Sequence, residues 1–355
     1  MIKKLLLAIA IVLAVIIGRV LFKVGQASGQ FVKLETILAD RCESVEVAPG
    51  PEDLEIDHQT GIAYIAATDR RVLESRPRGS IFALDLNDPD AVPIEILGED
   101  PVDFYSHGIS LWRGPDGDLR LFAINHSATG ETVEIFDFDQ DGRLAHSESI
   151  TSPAMFTLND LVAVGSRQFY ATNDQKYKSG MGSALELFLG LPLGEVIYFD
   201  GERADIAANG FAYANGVNTS LDGSKVYVTE TIGRKLAVFE RDQTSGALSK
   251  RKNYGMGTGA DNIDVAPDGA LYIGAHPKLL AFTQHASNPE TVSPSQVVKF
   301  DPVERGFESV YVSQDGELNG SATGAYWNET LLVSGVFDSQ IARCSVSEYE
   351  LGEIE

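Results

Sequence analysis

Cysteine is nearly absent from this sequence: two of its 355 residues, Cys42 and Cys344, carry thiols. Neither has a second Cys or a His at metal-ligand spacing, which excludes a thiolate zinc site. The two lie near opposite ends of the chain. We interpret them as a disulfide that joins the first and last segments of the fold and forms in an oxidising compartment. Two unpaired thiols in the core are the alternative.

Basic residues are also scarce, with 28 Lys and Arg against 51 Asp and Glu and a formal net charge of −23. A surface this acidic repels phosphate backbones, so nucleic acid is not an expected partner. The acidity suits a protein that holds cations, although solubility alone explains most of it. No Gly-x-Ser-x-Gly sequence occurs, so a serine-hydrolase mechanism lacks its usual signature.

Long helical patterns are missing from nearly the whole chain, which argues against alternating α/β units. The exception is residues 182–193, an apolar and poorly alternating stretch that we interpret as a short helix or lid over one face. The chain instead repeats a polar or acidic start, an apolar pair, a turn with Asp or Gly, and a β-rich run. Six copies of this pattern begin at residues 52, 107, 159, 215, 261 and 320.

The spacing of these copies predicts the fold. Successive copies start 46 to 59 residues apart, which suits four short antiparallel strands per copy. Asp-Gly turns at 115–117, 222–223 and 267–269 have the geometry that joins two strands of a hairpin. Six copies therefore predict an all-β, six-bladed propeller over residues 31–355, with the disulfide clasping its first and last segments.

Polar side chains open the copies of the repeat. In a propeller the innermost strand of every blade begins at the same end of the central channel, so these residues are predicted to meet on the axis. They are Glu52, Asp53, His107, Asn159, Asp160, Asn215, Asp261 and Asn262. Hard oxygen donors without Cys favour calcium, and crowded carboxylates would repel one another without a cation. The alternative is that these residues cap strand starts and bind water.

Three histidines are expected near this group. His107 faces the axis, and His126 follows the next strand of the same blade, so the pair could activate a water molecule. A purely structural role is equally open for His126. His276 ends the hairpin of the fifth blade and is expected at the mouth of the channel. His285, in a polar stretch, is expected on the surface.

Residues 1–30 are expected to form a separate hydrophobic segment. Lys3 and Lys4 precede an apolar run from Leu5 to Gly18, which is long for a signal peptide core and short for a full membrane span. Because no clear small-x-small cleavage site follows, we expect a retained signal anchor, with a cleaved signal as the alternative. Both put the body of the protein outside the cytosol, either secreted or held at a membrane or lipid surface.

Eight short segments together resemble the paraoxonase/arylesterase family. They are Pro51-Glu-Asp-Leu-Glu-Ile56, His107-Gly-Ile-Ser110, Asn125-His126, Leu158-Asn-Asp-Leu-Val-Ala-Val-Gly165, Thr172-Asn-Asp174, Ala214-Asn-Gly-Val-Asn218, Asp261-Asn-Ile-Asp-Val265 and His276-Pro277. They follow the family's order and cover nearly the whole globular chain. The resemblance implies a six-bladed propeller with a terminal disulfide and a retained hydrophobic N-terminus.

The resemblance also implies two calcium ions and a dyad. The ligands of a catalytic ion would be Glu52, Asn159, Asn215, Asp261 and Asn262. The ligands of a structural ion deeper in the channel would be Asp53, Asp160 and the backbone carbonyl of Ile109. His107 and His126 match the family's proposed dyad, and Glu52 could itself position or activate the water.

The implied activity is calcium-dependent hydrolysis of lactones and aryl esters, with the ion polarising the carbonyl that water attacks. A phosphotriesterase side activity is left open. One alternative is a non-catalytic propeller that calcium stabilises and that binds partners. Another is a propeller enzyme of the strictosidine-synthase-like or gluconolactonase type, which the paired Glu-Asp and Asn-Asp motifs disfavour because they would serve two ions.

Several residues depart from the family pattern. Gln175 follows Asp174 where the family often has His, and Tyr213 stands in place of a Phe. The loop at 68–71, with Arg71 at its end, is charged where mammalian members are apolar or tyrosyl. We therefore expect a substrate pocket with a more polar mouth and an altered substrate preference. Its expected members are Asp174, Tyr213, His276 and Arg71.

Overall fold

The computed structural model describes residues 15, 18–19, 22, 24–26, 28–72, 77–98, 101 and 103–346. The strands of this part of the chain, β1 to β24, form six four-stranded antiparallel sheets. The innermost strand of each sheet contacts the innermost strands of the two neighbouring sheets, which closes the sheets into a ring. The six-bladed propeller predicted from the repeat is therefore confirmed.

The first three blades each use four consecutive strands, with the first strand innermost. Blade 1 contains β2 (Pro51–Asp57), β3 (Ile62–Ala67), β4 (Ser80–Asp85) and β5 (Ile94–Glu95). Blade 2 contains β6 (Ser106–Arg113), β7 (Leu119–Ser127), β8 (Gly130–Phe138) and β9 (Leu144–Ile150). Blade 3 contains β10 (Leu158–Ala163), β11 (Phe169–Asn173), β12 (Gly194–Phe199) and β13 (Ala204–Phe211).

The next two blades repeat this order, and the sixth is closed by both ends of the chain. Blade 4 contains β14 (Ala214–Thr219), β15 (Lys225–Glu230), β16 (Lys235–Arg241) and β17 (Leu248–Gly255). Blade 5 contains β18 (Gly259–Val265), β19 (Leu271–His276), β20 (Ser295–Phe300) and β21 (Phe307–Ser313). Blade 6 contains β22 (Ser321–Trp327), β23 (Thr330–Gly335), β24 (Gln340–Ser345) and, as its outer strand, β1 (Cys42–Glu46).

The pairing of β1 with β24 completes blade 6. Cys42 lies directly opposite Cys344 in this pairing, and the two form a disulfide across 302 positions of sequence. The predicted terminal disulfide is thus confirmed. Since β1 comes from the start of the chain and the other three strands from its end, the last blade is a sheet that joins both termini.

Apolar side chains fill the spaces between adjacent blades. Between blades 1 and 6, Leu54 and Ile65 pack with Ala325 and Leu332, and none of the four is more than 2% exposed. Five further clusters of this kind lie elsewhere in the described part of the ring. The core therefore lies between the sheets, which leaves the channel edge of each innermost strand available for polar side chains.

Among the residues described from position 28 onward, three short helices lie outside the sheets: a 3₁₀-helix (Ala39–Arg41), α1 (Gly180–Leu189) and α2 (Leu279–Ser287). The helix predicted over 182–193 is α1, which begins two residues earlier and ends at Leu189. It ends there because Gly190 has a φ of 58°, a left-handed conformation that suits glycine at a helix C-terminus. Helix α2 was not predicted.

Most of the expected signal anchor lies outside the described residues. No helix within the described residues is long and apolar enough to cross a membrane. The end of this segment reaches the propeller, because the backbone oxygen of Ser28 accepts a hydrogen bond from the backbone N–H of Leu279 at 2.9 Å.

Candidate active site

Each innermost strand breaks its hydrogen-bonding register near its start. The breaks lie at Pro51/Asp53, Ser106/Ile109, Leu158/Leu161, Ala214/Val217, Ala260/Ile263 and Ser321/Gly324. Residues inside such a bulge are not paired with the neighbouring strand. Their side chains therefore need not alternate between the two faces of the sheet. The residues between these break points include Glu52, His107, Asn159, Asp160, Asn215, Asp261 and Asn262. These polar residues of the repeat therefore lie at the bulges of blades 1 to 5.

Two glycines let neighbouring bulges approach one another. A Cβ on Gly108 would lie 2.6 Å from Asp160 Oδ1, and a Cβ on Gly216 would lie 2.6 Å from the backbone oxygen of Asp261. No side chain fits at such distances. The second residue of the bulge is therefore glycine in blades 2 and 4, whereas blades 3 and 5 carry Asp160 and Asn262 at that point.

The predicted axial donors lie in one buried group. Seven of them are between 2% and 5% exposed: Glu52, Asp53, Asn159, Asp160, Asn215, Asp261 and Asn262. The Nδ2 of Asn262 donates to Glu52 Oε1 at 3.0 Å, which links blades 5 and 1 across the channel. Deeper in the channel, Asp53, Ile109 and Asp160 line one cavity, and the backbone N–H of Ile109 donates to Asp53 Oδ2 at 2.7 Å.

Three amide oxygens in this group are buried without a hydrogen-bond partner: Asn159 Oδ1, Asn215 Oδ1 and Asn262 Oδ1. They belong to the innermost strands of three consecutive blades. The Nδ2 atoms of Asn215 and Asn262 already donate to Thr231 and Glu52, so it is the oxygens that are left. Leaving a buried acceptor unsatisfied costs about 1–3 kcal/mol. A cation among these oxygens would remove that cost.

The buried carboxyl groups also favour a cation. Burial and the charge of Glu52 raise the pKa of Asp53 to about 8. Burial likewise raises the pKa of Asp160 and of Asp261. Burial acts in the same direction on Glu52, but His107, Arg70 and Asn262 outweigh it and lower its pKa to about 2. A positive charge in the channel would let all of these groups ionise together.

The donor set fits calcium. Among the described residues, no three side chains of the His, Cys, Asp and Glu types form a metal-binding cluster by themselves. The donors here are instead carboxylate and amide oxygens from four blades. Calcium takes six to eight oxygen ligands of these kinds in flexible geometry, whereas zinc prefers Cys and His.

Two histidines stand beside this oxygen group. The Nδ1 of His107 lies 2.8 Å from the Nε2 of His126, and the Nε2 of His107 lies 3.6 Å from Glu52 Oε2. The Nδ1 of His126 is hydrogen-bonded to Glu131 Oε2. Burial lowers the pKa of His107, which keeps its imidazole neutral at pH 7. Glu52 therefore connects the oxygen group to a buried histidine pair.

Three of the four residues expected in the substrate pocket lie beside the axial group. His276 is 2% exposed, donates from Nε2 to Asp261 Oδ2 at 2.8 Å and stacks on Phe282. Tyr213, which has a strained φ of 65°, hydrogen-bonds to Asp174. The charge of Asp174, burial and the charge of Asp261 all raise the pKa of Tyr213. Burial raises the pKa of Asp174 to about 7.

Arg71, the fourth expected pocket residue, is engaged elsewhere. Its guanidinium donates to the backbone oxygens of His285 and Ala286 at the end of α2 and lies 4.7 Å over the ring of Phe337. Cations bind helix C-terminal carbonyls favourably, so Arg71 ties its loop to α2. A direct contact with substrate stays a prediction for this residue.

Arg70, which was not predicted, reaches the site instead. Its Nη2 lies 3.5 Å from Glu52 Oε2 and donates a hydrogen bond to the backbone oxygen of Ser106 at 3.1 Å. Its Nη1 donates to the backbone oxygen of Gly50 at 3.0 Å. The charged loop was visible in the sequence. Which of its two arginines turns inward depends on the path of the backbone, and no pattern in the loop sequence gives that path.

The prediction that His285 lies on the surface is wrong. His285 is 1% exposed, and its Nδ1 donates to the backbone oxygen of Thr291 at 2.6 Å. Its Nε2 therefore accepts from Arg71 Nη2 at 2.7 Å. The misplacement follows from the missed helix, since α2 is the element that carries this histidine into the fold.

Glu131 was also missed, although a signal for it existed. It lies directly opposite His126 in the β7–β8 hairpin, whose closing pair is Ser127 and Gly130. A two-residue turn at 128–129 fixes this register, and residues opposite each other in a hairpin interact. Pairing the two strands from the turn would have identified the partner of His126.

A model of the arylesterase family matches residues 47–345. The chain belongs to the arylesterase family. The resemblance found in the short segments is thus confirmed, and the match covers all six bulges of the channel.

Two relatives illustrate the match within the arylesterase family. Serum paraoxonase/arylesterase 1 of Mus musculus is 32% identical, over 86% of this chain and 89% of its own length. Serum paraoxonase/lactonase 3 of Oryctolagus cuniculus is 29% identical, over 95% and 98%. Among solved structures, a gluconolactonase from Xanthomonas campestris has a TM-score of 0.55 over 88% of this chain and 91% of its own, at 14% identity, which shows the shared fold alone.

Proposed function

We propose that this protein is a calcium-dependent hydrolase of lactones and aryl esters. The observation that carries the proposal is the contact between the two halves of the site. Glu52 belongs to the buried oxygen group and also lies 3.6 Å from the Nε2 of His107, in the histidine pair. The names of the arylesterase and lactonase relatives support the choice of substrates.

The calcium ligands we propose are those implied by the family. The catalytic ion would be held by Glu52, Asn159, Asn215, Asp261 and Asn262. The structural ion would be held by Asp53, Asp160 and the carbonyl of Ile109. A bound calcium ion supplies Lewis acidity that polarises a carbonyl and stabilises developing negative charge on its oxygen. His276 would orient Asp261 for this role through their 2.8 Å hydrogen bond.

His107 is the base in this proposal. Its neutral imidazole accepts a proton at Nε2 from the water that attacks the substrate carbonyl carbon, and it returns that proton to the leaving alkoxide or phenoxide oxygen. Its Nδ1, 2.8 Å from His126, is held in place by that neighbour. Glu52, which stays ionised, stabilises the imidazolium that forms. Arg70 holds Glu52 in position from the other side.

We also propose that the protein acts outside the cytosol, with residues 1–30 as an anchor to a membrane or lipid surface and residues 31–355 as the catalytic unit. The disulfide supports an oxidising compartment, and the apolar run from Leu5 to Gly18 supports the anchor. Cell fractionation tests this. Full-length protein is expected with the membranes, and a variant lacking residues 1–30 is expected to leave them.

A panel of lactones of varied acyl length and phenyl acetate tests the hydrolase proposal. We expect turnover by the purified protein, and a loss of about 10²-fold or more in kcat for His107→Gln, in line with the removal of a general base. His146→Gln, which changes a histidine of the same blade bound to Glu134, is the matched control. Calcium binding without turnover of any substrate would favour the non-catalytic alternative.

A further inference from the structure

A carboxylate stands behind the histidine pair. Glu131 on β8 has a side chain that is 3% exposed, and its Oε2 is hydrogen-bonded to the Nδ1 of His126. Its other oxygen, Oε1, is hydrogen-bonded to the Nζ of Lys178. The side chains of Lys178, Glu131, His126 and His107 thus form one continuous line that ends at Glu52.

This line fixes where the ring protons lie. A carboxylate only accepts hydrogen bonds, so the Nδ1 of His126 must donate to Glu131. In neutral His126 the Nε2 then carries a lone pair, and the Nδ1 of His107 must donate to it. The Nε2 of neutral His107 is left without a proton on the side that faces Glu52 and the channel.

We propose that Glu131 is a positioning residue that sets the tautomers of His126 and His107, so that the bare nitrogen of His107 faces the substrate. The inference rests on the hydrolysis proposed above. It extends the histidine pair to a Glu–His–His relay, in which an acidic group orients a base through a neighbouring ring.

The relay also gives the positive charge a place to reside. When water attacks, the O–H bond breaks and the proton goes to the Nε2 of His107. The Nδ1 proton of His107 can then move to the Nε2 of His126, which leaves a neutral His107 and an imidazolium at His126 against the Glu131 carboxylate. Reversing these transfers delivers the proton to the leaving oxygen, so no further acid or base is consumed.

Glu131 is suited to this role because it stays ionised. Burial acts to raise its pKa, but the hydrogen bonds and charges of His126 and Lys178 outweigh burial and lower it. Lys178 is itself held by its segment. Glu186 on α1 is 3% exposed and accepts hydrogen bonds from the backbone N–H groups of Lys176 and Tyr177 at 2.9 Å and 3.2 Å. Helix α1 is therefore tied to the relay through Lys178.

Three substitutions of Glu131 separate its effect on the His126 tautomer from the effect of its negative charge. Gln keeps an oxygen that accepts from the Nδ1 of His126 but removes the charge, Ala removes both, and Asp keeps the charge. We expect kcat to fall about tenfold for Glu131→Gln and about 10²-fold for Glu131→Ala, with partial recovery for Glu131→Asp and KM within about twofold throughout. Glu148→Gln changes a carboxylate of the same blade that pairs at the surface with Arg167 of blade 3, and this control should leave both constants unchanged.

The ring tautomer is read independently of activity. In protein labelled with 15N-histidine and assigned with a His126→Gln variant, the shifts of His126 should show a protonated Nδ1 and a bare Nε2 in wild type and Glu131→Gln. Glu131→Ala should show the opposite tautomer or a mixture. Unchanged shifts and unchanged kcat in Glu131→Ala would overturn the proposal, and so would a rise in KM alone. Where Glu131→Ala does not fold, the kcat loss in Glu131→Gln decides, and a wild-type kcat there overturns it.

Failure of this inference is distinguishable from failure of the proposed function. If wild-type protein hydrolyses no lactone or ester, the hydrolase proposal fails, while the 15N shifts still report whether Glu131 sets the tautomers. If wild type is active and the Glu131 variants match it in kcat and shifts, only the positioning role is lost.

Discussion

Asn159, Asn215 and Asn262 carry the strongest residue-scale argument for a cation. Each keeps a buried side-chain oxygen without a hydrogen-bond partner. Proteins rarely leave such atoms unsatisfied, and three of them in consecutive blades point to a shared ligand. Because an amide oxygen is neutral, these residues add donors without adding to the repulsion among the carboxylates.

Removal of one amide oxygen should weaken calcium binding. We expect Asn159→Ala to lower calcium affinity by at least about tenfold, since even partners outside the ligand shell contribute that much to metal sites. Calcium titration by calorimetry measures this. Asn253→Ala, at an exposed position on β17, is the control. Equal affinities in both variants would show that Asn159 is not a ligand.

At the scale of the strands, the bulges are the feature of the fold that places the polar side chains at the candidate site. The repeat predicted the innermost strands and the residues that open them, because apolar runs with Asp-Gly turns have a clear strand period. It did not predict that the ladders break there, since a bulge depends on the register with a neighbouring strand. Gly108 and Gly216 are the sequence features that correspond to the bulges, because a Cβ at either position would collide with the bulge of the adjacent blade.

A methyl group at Gly108 should therefore disturb both packing and calcium binding. Its Cβ would lie 2.6 Å from Asp160 Oδ1 and 2.7 Å from the Cα of the same residue. We expect Gly108→Ala to lower the free energy of unfolding by about 1–3 kcal/mol, as overpacking in a core does. Chemical denaturation measures this. Gly255→Ala, where a Cβ meets no atom within 4 Å, is the matched control, and equal stabilities would contradict the close approach.

Of the α-helices α1 and α2, only α1 could be predicted from the sequence. Helix α1 was predicted because its apolar run stands out among alternating strands. Helix α2 (Leu279–Ser287) is shorter and mixes apolar with polar residues. Its stability comes from contacts with the rest of the fold. Phe282 stacks on His276, and Arg71 binds the last carbonyls. The inward turn of Arg70 and the burial of His285 depended on such contacts, whereas the partner of His126 followed from the two-residue turn at 128–129.

Closure of the ring is a property of the whole molecule. Blade 6 takes its outer strand from the start of the chain and its other three from the end, so separation of β1 from β24 would remove the strand pairing that joins the two ends of the chain. The disulfide cross-links the two ends 302 positions apart, which restricts the unfolded chain strongly.

We expect the double variant Cys42→Ala/Cys344→Ala to lose about 2–5 kcal/mol of unfolding free energy, because a cross-link between distant positions limits the unfolded ensemble. Guanidinium denaturation measures this. Wild-type protein treated with reductant should move to the stability of the variant. A variant as stable as the oxidised wild type would show that the strand pairing closes the ring without the disulfide.

At the scale of the whole molecule, we propose that the oxygen group on the axis holds calcium and that hydrolysis by the neighbouring histidines needs this ion. The most direct measurement is lactone turnover in chelated protein as free calcium is restored, with bound calcium counted in the same samples. We predict that turnover is lost on chelation and returns with calcium binding, but does not return with magnesium, which demands a stricter geometry. Full turnover in protein stripped of calcium would contradict the account.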